Sequence, residues 1–180
     1  IKDYAFLYRT SLTSITIPDS VTSIGDDAFY NCTSLRSITI PDCVTSIGYE
    51  AFYNCTSLTS VNITNLAAWC NIDFGDSDAN PLYYAGDLYL NGELVTELQI
   101  PGSVTSIGDY VFRSCTSLTS ITIPDSVTSI GYDAFSDCTS LTSIKIGDSV
   151  TSIGSSAFYN CGALNAVYIS DVASWCNIDF

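Results

Sequence analysis

Cysteine is the residue type with the most evident capacity for chemistry, because the 180-residue chain contains eight cysteines and no histidine. Five of them recur at one position of a repeated pattern: Cys32, Cys55, Cys115, Cys138 and Cys161. A metal cluster would need CxxC-type pairs with histidines or further thiols, and no CxxC pair is present. The recurrence favours a buried ladder of small apolar thiols. We expect these thiols to be free, because stacked parallel side chains suit disulfide geometry poorly.

The carboxylates also recur with the repeat. A sequence without histidine cannot use histidine-based catalysis, although a glycosidase with two carboxylates remains compatible with the composition. Asp19, Asp42, Asp125 and Asp148 nevertheless occupy one turn position in successive units. An active site would interrupt the repeat once, whereas recurrence in every unit is typical of a structural role. The sequence therefore predicts a chain that is not an enzyme.

One acidic segment lies outside the regular pattern. Asp76, Asp78 and Asn80 have the alternate spacing of a calcium loop, and Asp87 falls at its twelfth position. However, Pro81 replaces the glycine that such a loop requires, and aspartate is short for the bidentate role of the last ligand. The segment is interpreted first as an acidic surface loop rich in turn-forming residues, with calcium as the alternative. No cofactor is predicted.

The elements that position these residues are units of 35 − 12 = 23 residues. The leucines that mark them are Leu12, Leu35, Leu58, Leu118, Leu141 and Leu164. Self-similarity at such a period indicates a solenoid. Each unit predicts a short strand, a turn, and a short helix or helical turn. The inward pairs of the strands predict seven rungs of one parallel sheet: Ile15/Ile17, Ile38/Ile40, Val61/Ile63, Leu98/Ile100, Ile121/Ile123, Ile144/Ile146 and Val167/Ile169.

One unit is longer than the others, covering about residues 58–94. It runs from Leu58 to the equivalent Val95, which is 95 − 58 = 37 residues. Within this stretched unit the text predicts a helical turn over 66–70 and a hairpin about Asn91-Gly92. Its opening text returns at residues 170–180, so the array has a superperiod of 170 − 64 = 106 residues. We expect a single solenoid domain over residues 1–180, and a fragment of a longer array because both terminal units are incomplete.

The repeated text Ile-Pro-Asp-x-Val-x-x-Ile-Gly-x-x-Ala-Phe-x-x-Cys resembles the BspA-like, or Treponema-type, leucine-rich repeats over nearly the whole chain. The resemblance implies a leucine-rich-repeat solenoid of the α/β type, with short parallel strands and short helical turns. It also implies an extracellular or cell-surface protein of a host-associated microbe, with roles in adhesion, co-aggregation or immune recognition. The family shares no catalytic residues that could be assigned here.

Charge and hydropathy restrict the partners. The formal net charge is −14, and only five basic residues are present. An acidic surface repels phosphate backbones, so nucleic-acid binding is disfavoured. No apolar run approaches the length of roughly 20 residues that spans a bilayer, so no membrane insertion of this segment is expected.

Two surfaces are candidates for binding a protein or glycan. The outward positions of the predicted strands are Thr16, Thr39, Asn62, Gln99, Thr122 and Lys145. They form either a hydrogen-bonding face or a row of solvated β-formers. The second surface consists of Tyr30, Tyr53 and Tyr159, each of which follows a phenylalanine that we expect to be buried. These tyrosines either point outward as a binding surface or pack over neighbouring rungs.

The sequence predicts a non-catalytic interaction or adhesion module that binds host or neighbouring-cell macromolecules through its repeat surface. A structural spacer that presents another domain is the alternative, and a carbohydrate-binding surface is a third possibility. Unpaired strand edges at the terminal rungs also predict end-to-end self-association.

Overall fold

The computed structural model describes all residues, Ile1–Phe180, and forms a solenoid in which each coil contributes strands to two separate rows. The strands are β1 (Ser23–Ile24), β2 (Ser37–Thr39), β3 (Ser46–Ile47), β4 (Ser60–Ile63), β5 (Asp73–Phe74), β6 (Leu88–Leu90), β7 (Glu93–Leu94), β8 (Glu97–Gln99), β9 (Ser106–Ile107), β10 (Ser120–Thr122), β11 (Ser129–Ile130), β12 (Ser143–Lys145), β13 (Ser152–Ile153) and β14 (Ala166–Tyr168). The helices are α1 (Leu66–Cys70), α2 (Leu82–Ala85), α3 (Val172–Cys176) and a 3₁₀ turn at Ser77–Ala79. The predicted leucine-rich-repeat solenoid is confirmed.

The first row, called the front row, consists of two parallel sheets, although a single sheet of seven rungs was predicted. The strand orders are β2-β4-β6-β7 and β8-β10-β12-β14. The break occurs because β7 folds back antiparallel on β6 and occupies the edge that β8 would need, with Tyr89 opposite Leu94. The predicted first rung at Ile15/Ile17 is not a strand. Among residues 13–17, only the carbonyl of Thr13 accepts a hydrogen bond from a backbone amide of the next coil, and that amide belongs to Arg36.

The second row, called the side row, contains the two-residue strands of sheets β1-β3-β5 and β9-β11-β13. The sequence predicted only that Val21 and Ile24 return to the core at this point. Five of the six strands place serine outward and isoleucine inward, with Ser46 opposite Ser23 and Ile47 opposite Ile24, whereas β5 has Asp73 and Phe74 at these positions. The glycine that follows allows the coils to approach, because a Cβ at Gly48 would lie 2.7 Å from the amide nitrogen of Asp26.

The predicted helical turn around Phe29 is absent, and a different hydrogen-bonded column takes its place. Asp27 and Asn31 adopt left-handed backbone angles, with φ of 54° and 58°. The amides of Asp27, Phe29 and Asn31 then donate to carbonyls of the next coil at 2.9, 2.8 and 2.8 Å. Asparagine and aspartate tolerate the left-handed region better than most residues do. We call this column the turn ladder; its inter-coil amides all point towards the C-terminal end of the solenoid.

The core is one continuous cluster of 46 buried residues between the two rows and the turn ladder. Phenylalanines of successive coils stack within it, with ring centroids 5.1 Å apart for Phe29 and Phe52 and 5.3 Å apart for Phe112 and Phe135. The stack is interrupted between Phe52 and Phe112, where the stretched unit supplies Trp69 and Leu82 instead. The solenoid therefore consists of two blocks, residues 1–57 and 95–180, joined by the stretched unit over about residues 58–94.

The recurring cysteines are buried as predicted, except that Cys161 is half-buried. All eight cysteines are free. Four of the five thiols of the column, those of Cys32, Cys55, Cys138 and Cys161, donate to the carbonyl of a phenylalanine in the preceding coil, as Cys55 Sγ does to Phe29 O at 3.2 Å. Burial raises the pKa of Cys55 and Cys115 to about 12. These thiols therefore serve as small buried packing groups.

Candidate functional site

The outward side chains of the front row form two columns in register. In the first sheet, Thr39 lies opposite Asn62 and Asn62 opposite Tyr89. In the second sheet, the column is Gln99, Thr122, Lys145 and Tyr168. We call these two columns the front face. The structure thus brings together five of the six predicted residues of this surface, while Thr16 is exposed on irregular chain outside the sheet.

Sequence reasoning missed the two tyrosines that complete the front face. The position of Tyr168 could have been predicted from the repeat, since Tyr168 follows Lys145 by 168 − 145 = 23 residues. Tyr89 follows Asn62 by 89 − 62 = 27 residues, so the regular spacing did not reveal it. Tyr168 is 59% exposed, whereas Tyr89 is half-buried. Each column therefore ends in an aromatic ring, which lies beside the amide of Asn62 in the first sheet and beside the ammonium of Lys145 in the second.

The predicted tyrosine surface is divided between the two blocks. Tyr8, Tyr30 and Tyr53 form one cluster, in which Tyr30 and Tyr53 stack with their centroids 4.8 Å apart. Tyr30 is half-buried and Tyr53 is 39% exposed. Tyr159 lies in the second block and is 66% exposed. The rings of the first cluster thus cover one another, which matches the interpretation of tyrosines that pack over neighbouring rungs.

The acidic loop of the stretched unit ends the turn ladder of the first block. The amide of Glu50 donates to the carboxylate of Asp76 at 3.2 Å, and the amide of Phe52 donates to the carbonyl of Asp78 at 3.0 Å. Asp76 also caps the start of the 3₁₀ turn at Ser77–Ala79, because its carboxylate accepts from the amide of Ala79. The hydroxyl of Tyr84 donates to the carboxylate of Asp78 at 2.9 Å. The loop therefore supplies the acceptors that a following coil would otherwise supply.

The other side of the stretched unit supplies donors to the second block. The indole nitrogen of Trp69 donates to the carbonyl of Val111 at 3.0 Å. The amide nitrogen of Asn80 donates to the carbonyls of Tyr110 at 2.7 Å and Val111 at 3.1 Å. The Asn80 side-chain oxygen accepts from the amide of Leu82 at 2.9 Å, and the whole residue is buried. These contacts attach the stretched unit to the first coil of the second block.

The oxygens of the calcium candidate are directed to separate partners. Asp76 binds the amides of Glu50 and Ala79, Asp78 accepts from Tyr84, and the Asn80 oxygen accepts from Leu82. No group of three or more His, Cys, Asp or Glu side chains that could hold a metal ion occurs in the structure. The geometry explains the alternate spacing by hydrogen bonding within the chain, and we do not propose calcium binding.

The repeats of the chain match a known protein family. The family model of the BspA type leucine rich repeat region matches the chain in six copies, over residues 1–72 and 87–177. The chain belongs to the BspA-type leucine-rich-repeat family. The gap in the match, residues 73–86, coincides with the acidic loop and α2 of the stretched unit. No curated protein sequence matches significantly.

Solved structures of leucine-rich repeat proteins have a similar fold. A leucine-rich repeat protein from Bacteroides ovatus is 31% identical, with a TM-score of 0.58, and the match covers 93% of this chain and 40% of that protein. The leucine rich repeat protein of T. pallidum is 27% identical, with a TM-score of 0.55, and 92% of this chain and 71% of that one are covered. Leucine-rich-repeat folds are typically interaction or surface modules and are generally non-catalytic.

Arg113 occupies the position that Tyr30 and Tyr53 occupy in other BspA-type units of the chain. Its guanidinium pairs with Asp133 and, at 3.5 Å, with Asp137, and lies 5.2 Å from the ring centre of Tyr83. Burial raises the pKa of the Asp133 carboxyl, and the neighbouring guanidinium opposes that rise. The side chain therefore links the stretched unit to the second block.

None of the three α-helices of the chain has the length and apolar character required to cross a membrane.

Proposed function

We propose that this chain is a non-catalytic protein-interaction module of a cell-surface or secreted protein. The observation that carries the proposal is the front face, in which the outward side chains of seven strands stand in register within two sheets, and the inward residues are buried in every strand except β14. Membership of the BspA-type family supports a role in recognition. Surface location and adhesion to host or neighbouring-cell macromolecules follow from the resemblance of the repeats, as an expectation for this chain.

Rigidity makes the front face suitable for recognition. The inward neighbours of the outward residues, such as Ile38, Val61 and Ile121, are at most 2% exposed. The strands are about 4.8 Å apart, so an extended partner meets one outward side chain per rung. Fixed positions reduce the conformational entropy that is lost when a partner binds.

The chemistry of the front face favours a protein partner. Threonine, asparagine and glutamine both donate and accept hydrogen bonds, as the backbone of an extended peptide requires. Tyr89 and Tyr168 add aromatic rings, which are enriched at protein interfaces. Lys145 is the cation of the front face in a chain of net charge −14, so it provides a defined electrostatic contact. We therefore expect many shallow contacts along the columns.

The test measures binding of the full chain to immobilised extracellular-matrix proteins by surface plasmon resonance, with a glycan array in parallel. The front-face variant carries Thr39→Glu, Thr122→Glu and Lys145→Glu. The control variant carries Lys2→Glu, Ser20→Glu and Ser103→Glu at exposed positions outside the front face. Both variants add the same negative charge, so a general electrostatic effect weakens both equally.

We expect saturable binding to a protein ligand that the front-face variant weakens about tenfold or more, as expected for loss of several interface contacts. The control variant should bind as the parent chain does. Equal binding by all three chains would refute the front face as the binding surface. Binding to glycans alone would support a carbohydrate-binding surface instead, and a folded chain that binds nothing would favour the structural spacer.

A further inference from the structure

A surface of tyrosines and carboxylates follows the turn ladder of the first block. Its rings are those of Tyr8, Tyr30 and Tyr53, whose successive centroids are 5.6 and 4.8 Å apart. Its carboxylates are those of Asp27 and Glu50, which occupy one position of the repeat, 50 − 27 = 23 residues apart. We call these five residues the tyrosine–acid surface. Tyr8 is 61% exposed, Tyr53 is 39% exposed and Glu50 is exposed, so a partner can reach both rings and carboxylates.

The carboxylates of this surface have no cation beside them. Desolvation, and after it the repulsion of neighbouring carboxylates that include Asp76, raises the pKa of both Asp27 and Glu50. A cation placed among such groups relieves the repulsion. Both ion pairs of the structure involve Arg113, however, so neither carboxylate has a cationic partner within the chain.

The second block contains the same arrangement with a cation in place. There Arg113 takes the ring position of the repeat, and Asp133 takes the position of Asp27 and Glu50. The guanidinium pairs with Asp133 and lies 5.2 Å from the centre of the Tyr83 ring, within the range of a cation–π contact. The second block thus combines a ring, a carboxylate and a guanidinium. The first block presents the ring and the carboxylate, and the guanidinium is missing.

We propose that the tyrosine–acid surface binds an arginine-rich segment of a partner protein, with guanidinium groups on the tyrosine rings and beside Asp27 and Glu50. Arginine suits this surface better than lysine does, because a planar guanidinium stacks on aromatic faces and binds a carboxylate through two hydrogen bonds. The net charge of −14 also attracts a basic partner. This recognition does not depend on the front face or on the function proposed above.

The test measures binding of a fluorescein-labelled peptide, in which arginine alternates with glycine, to the full chain by fluorescence anisotropy. A second peptide has lysine in place of every arginine and therefore carries the same charge. Both titrations are made at physiological ionic strength, where the general attraction of a basic peptide to an acidic protein is largely screened.

Two charge variants separate a specific site from that general attraction. The acid variant carries Asp27→Asn and Glu50→Gln, and asparagine tolerates the left-handed backbone of residue 27. The control variant carries Glu93→Gln and Glu97→Gln, which removes the same charge from exposed positions elsewhere. We expect the acid variant to bind the arginine peptide at least about tenfold more weakly, because charge-assisted hydrogen bonds are lost. The control variant should bind it as the parent chain does.

A second pair of variants tests the rings. Tyr53→Leu keeps an apolar side chain but removes the aromatic face, and we expect it to weaken binding about two- to fivefold, as for an exposed cation–π contact. Its control is Tyr159→Leu, at the same repeat position in the second block, where Ser156 replaces the acid. This control should leave the affinity unchanged. Circular dichroism checks that each variant is folded.

Tighter binding of the arginine peptide than of the lysine peptide, weakened only by the acid variant and Tyr53→Leu, is the result expected. Equal weakening by both charge variants would show general attraction to an acidic chain and would overturn the proposal. Equal affinity for the two peptides, or no measurable binding of either, would overturn it as well. All four variants keep the residues of the front face, so these outcomes are independent of the test of that surface.

Discussion

Replacing Asn80 should reveal how strongly the stretched unit holds the two blocks together. Asn80 is fully buried and makes three hydrogen bonds, two as donor to Tyr110 and Val111 and one as acceptor from Leu82. Asn80→Ala removes all three. Without the Asn80 oxygen, the amide of Leu82 is left buried without an acceptor, and an orphaned donor of this kind costs about 1–3 kcal/mol.

The two carbonyl acceptors lose less, because each keeps another donor. Val111 still accepts from the indole of Trp69, and Tyr110 still accepts from the amide of Arg113. Each of those lost bonds is worth about 0.5–1.5 kcal/mol, so the total loss in the free energy of unfolding is about 2–6 kcal/mol. For a domain of ordinary stability, this is a large fraction of the whole.

The assay is urea unfolding followed by circular dichroism, with Asn160→Ala as the matched control. Asn160 is exposed, and its amide donates to Asp137, so we expect its replacement to cost less than about 0.5 kcal/mol. Asn80→Asp should be at least as damaging as Asn80→Ala, because its carboxylate would face two carbonyl oxygens. A loss below about 0.5 kcal/mol for Asn80→Ala, with one unchanged transition, would refute the role assigned to this contact.

Three further predictions concern the core and its charges. At mildly alkaline pH, Ellman's reagent should quickly label the exposed Cys43 and Cys176 of the native chain. Cys55 should stay unlabelled, because it is buried and its pKa is raised to about 12. Rapid labelling of all eight thiols in the native chain would contradict this prediction. Phe135→Ala should lower the free energy of unfolding by about 3–5 kcal/mol, measured in urea, because its ring is fully buried between two stacked rings. Burial raises the pKa of Asp133, so the folded chain binds a proton at higher pH than the unfolded chain, and this carboxyl should add stability as the pH falls through its folded pKa. Asp133→Asn should therefore reduce the rise of the urea midpoint on acidification; an unchanged pH dependence would oppose that assignment.

The sequence predicted those features that depend on apolar spacing. Inward residues such as Ile38 and Val61, the buried cysteine column, the helical turn at Leu66–Cys70 and the hairpin about Asn91-Gly92 are all present in the structure. The hairpin was predictable because Asn-Gly suits two positive φ angles, which are 53° and 84° here. Burial and turn conformation depend on residues that are close in sequence, so the sequence of a single repeat unit is enough to predict them.

The turn ladder was not predicted because apolar spacing does not distinguish it from a helical turn. Ala28, Phe29 and Cys32 point inward in either conformation. The available signal was the pair of turn-prone residues four positions apart, such as Asp27 with Asn31 and Asp133 with Asp137, all of which have positive φ. The break of the front row was also unpredicted, since it depends on β7 pairing with β6 across a unit of irregular length.

The direction of the turn ladder explains why the stretched unit forms hydrogen bonds on both of its sides. Because the inter-coil amides all point one way, any interruption leaves unpaired donors on one block and unpaired acceptors on the other. The stretched unit pairs the donors of the first block, since Asp76 and the carbonyl of Asp78 accept from them. Trp69 and Asn80 donate to the second block. The spacing of Asp76, Asp78 and Asn80 therefore follows from the hydrogen-bonding demands of two adjoining coils, which explains why a calcium-like pattern arises here without convergent oxygens.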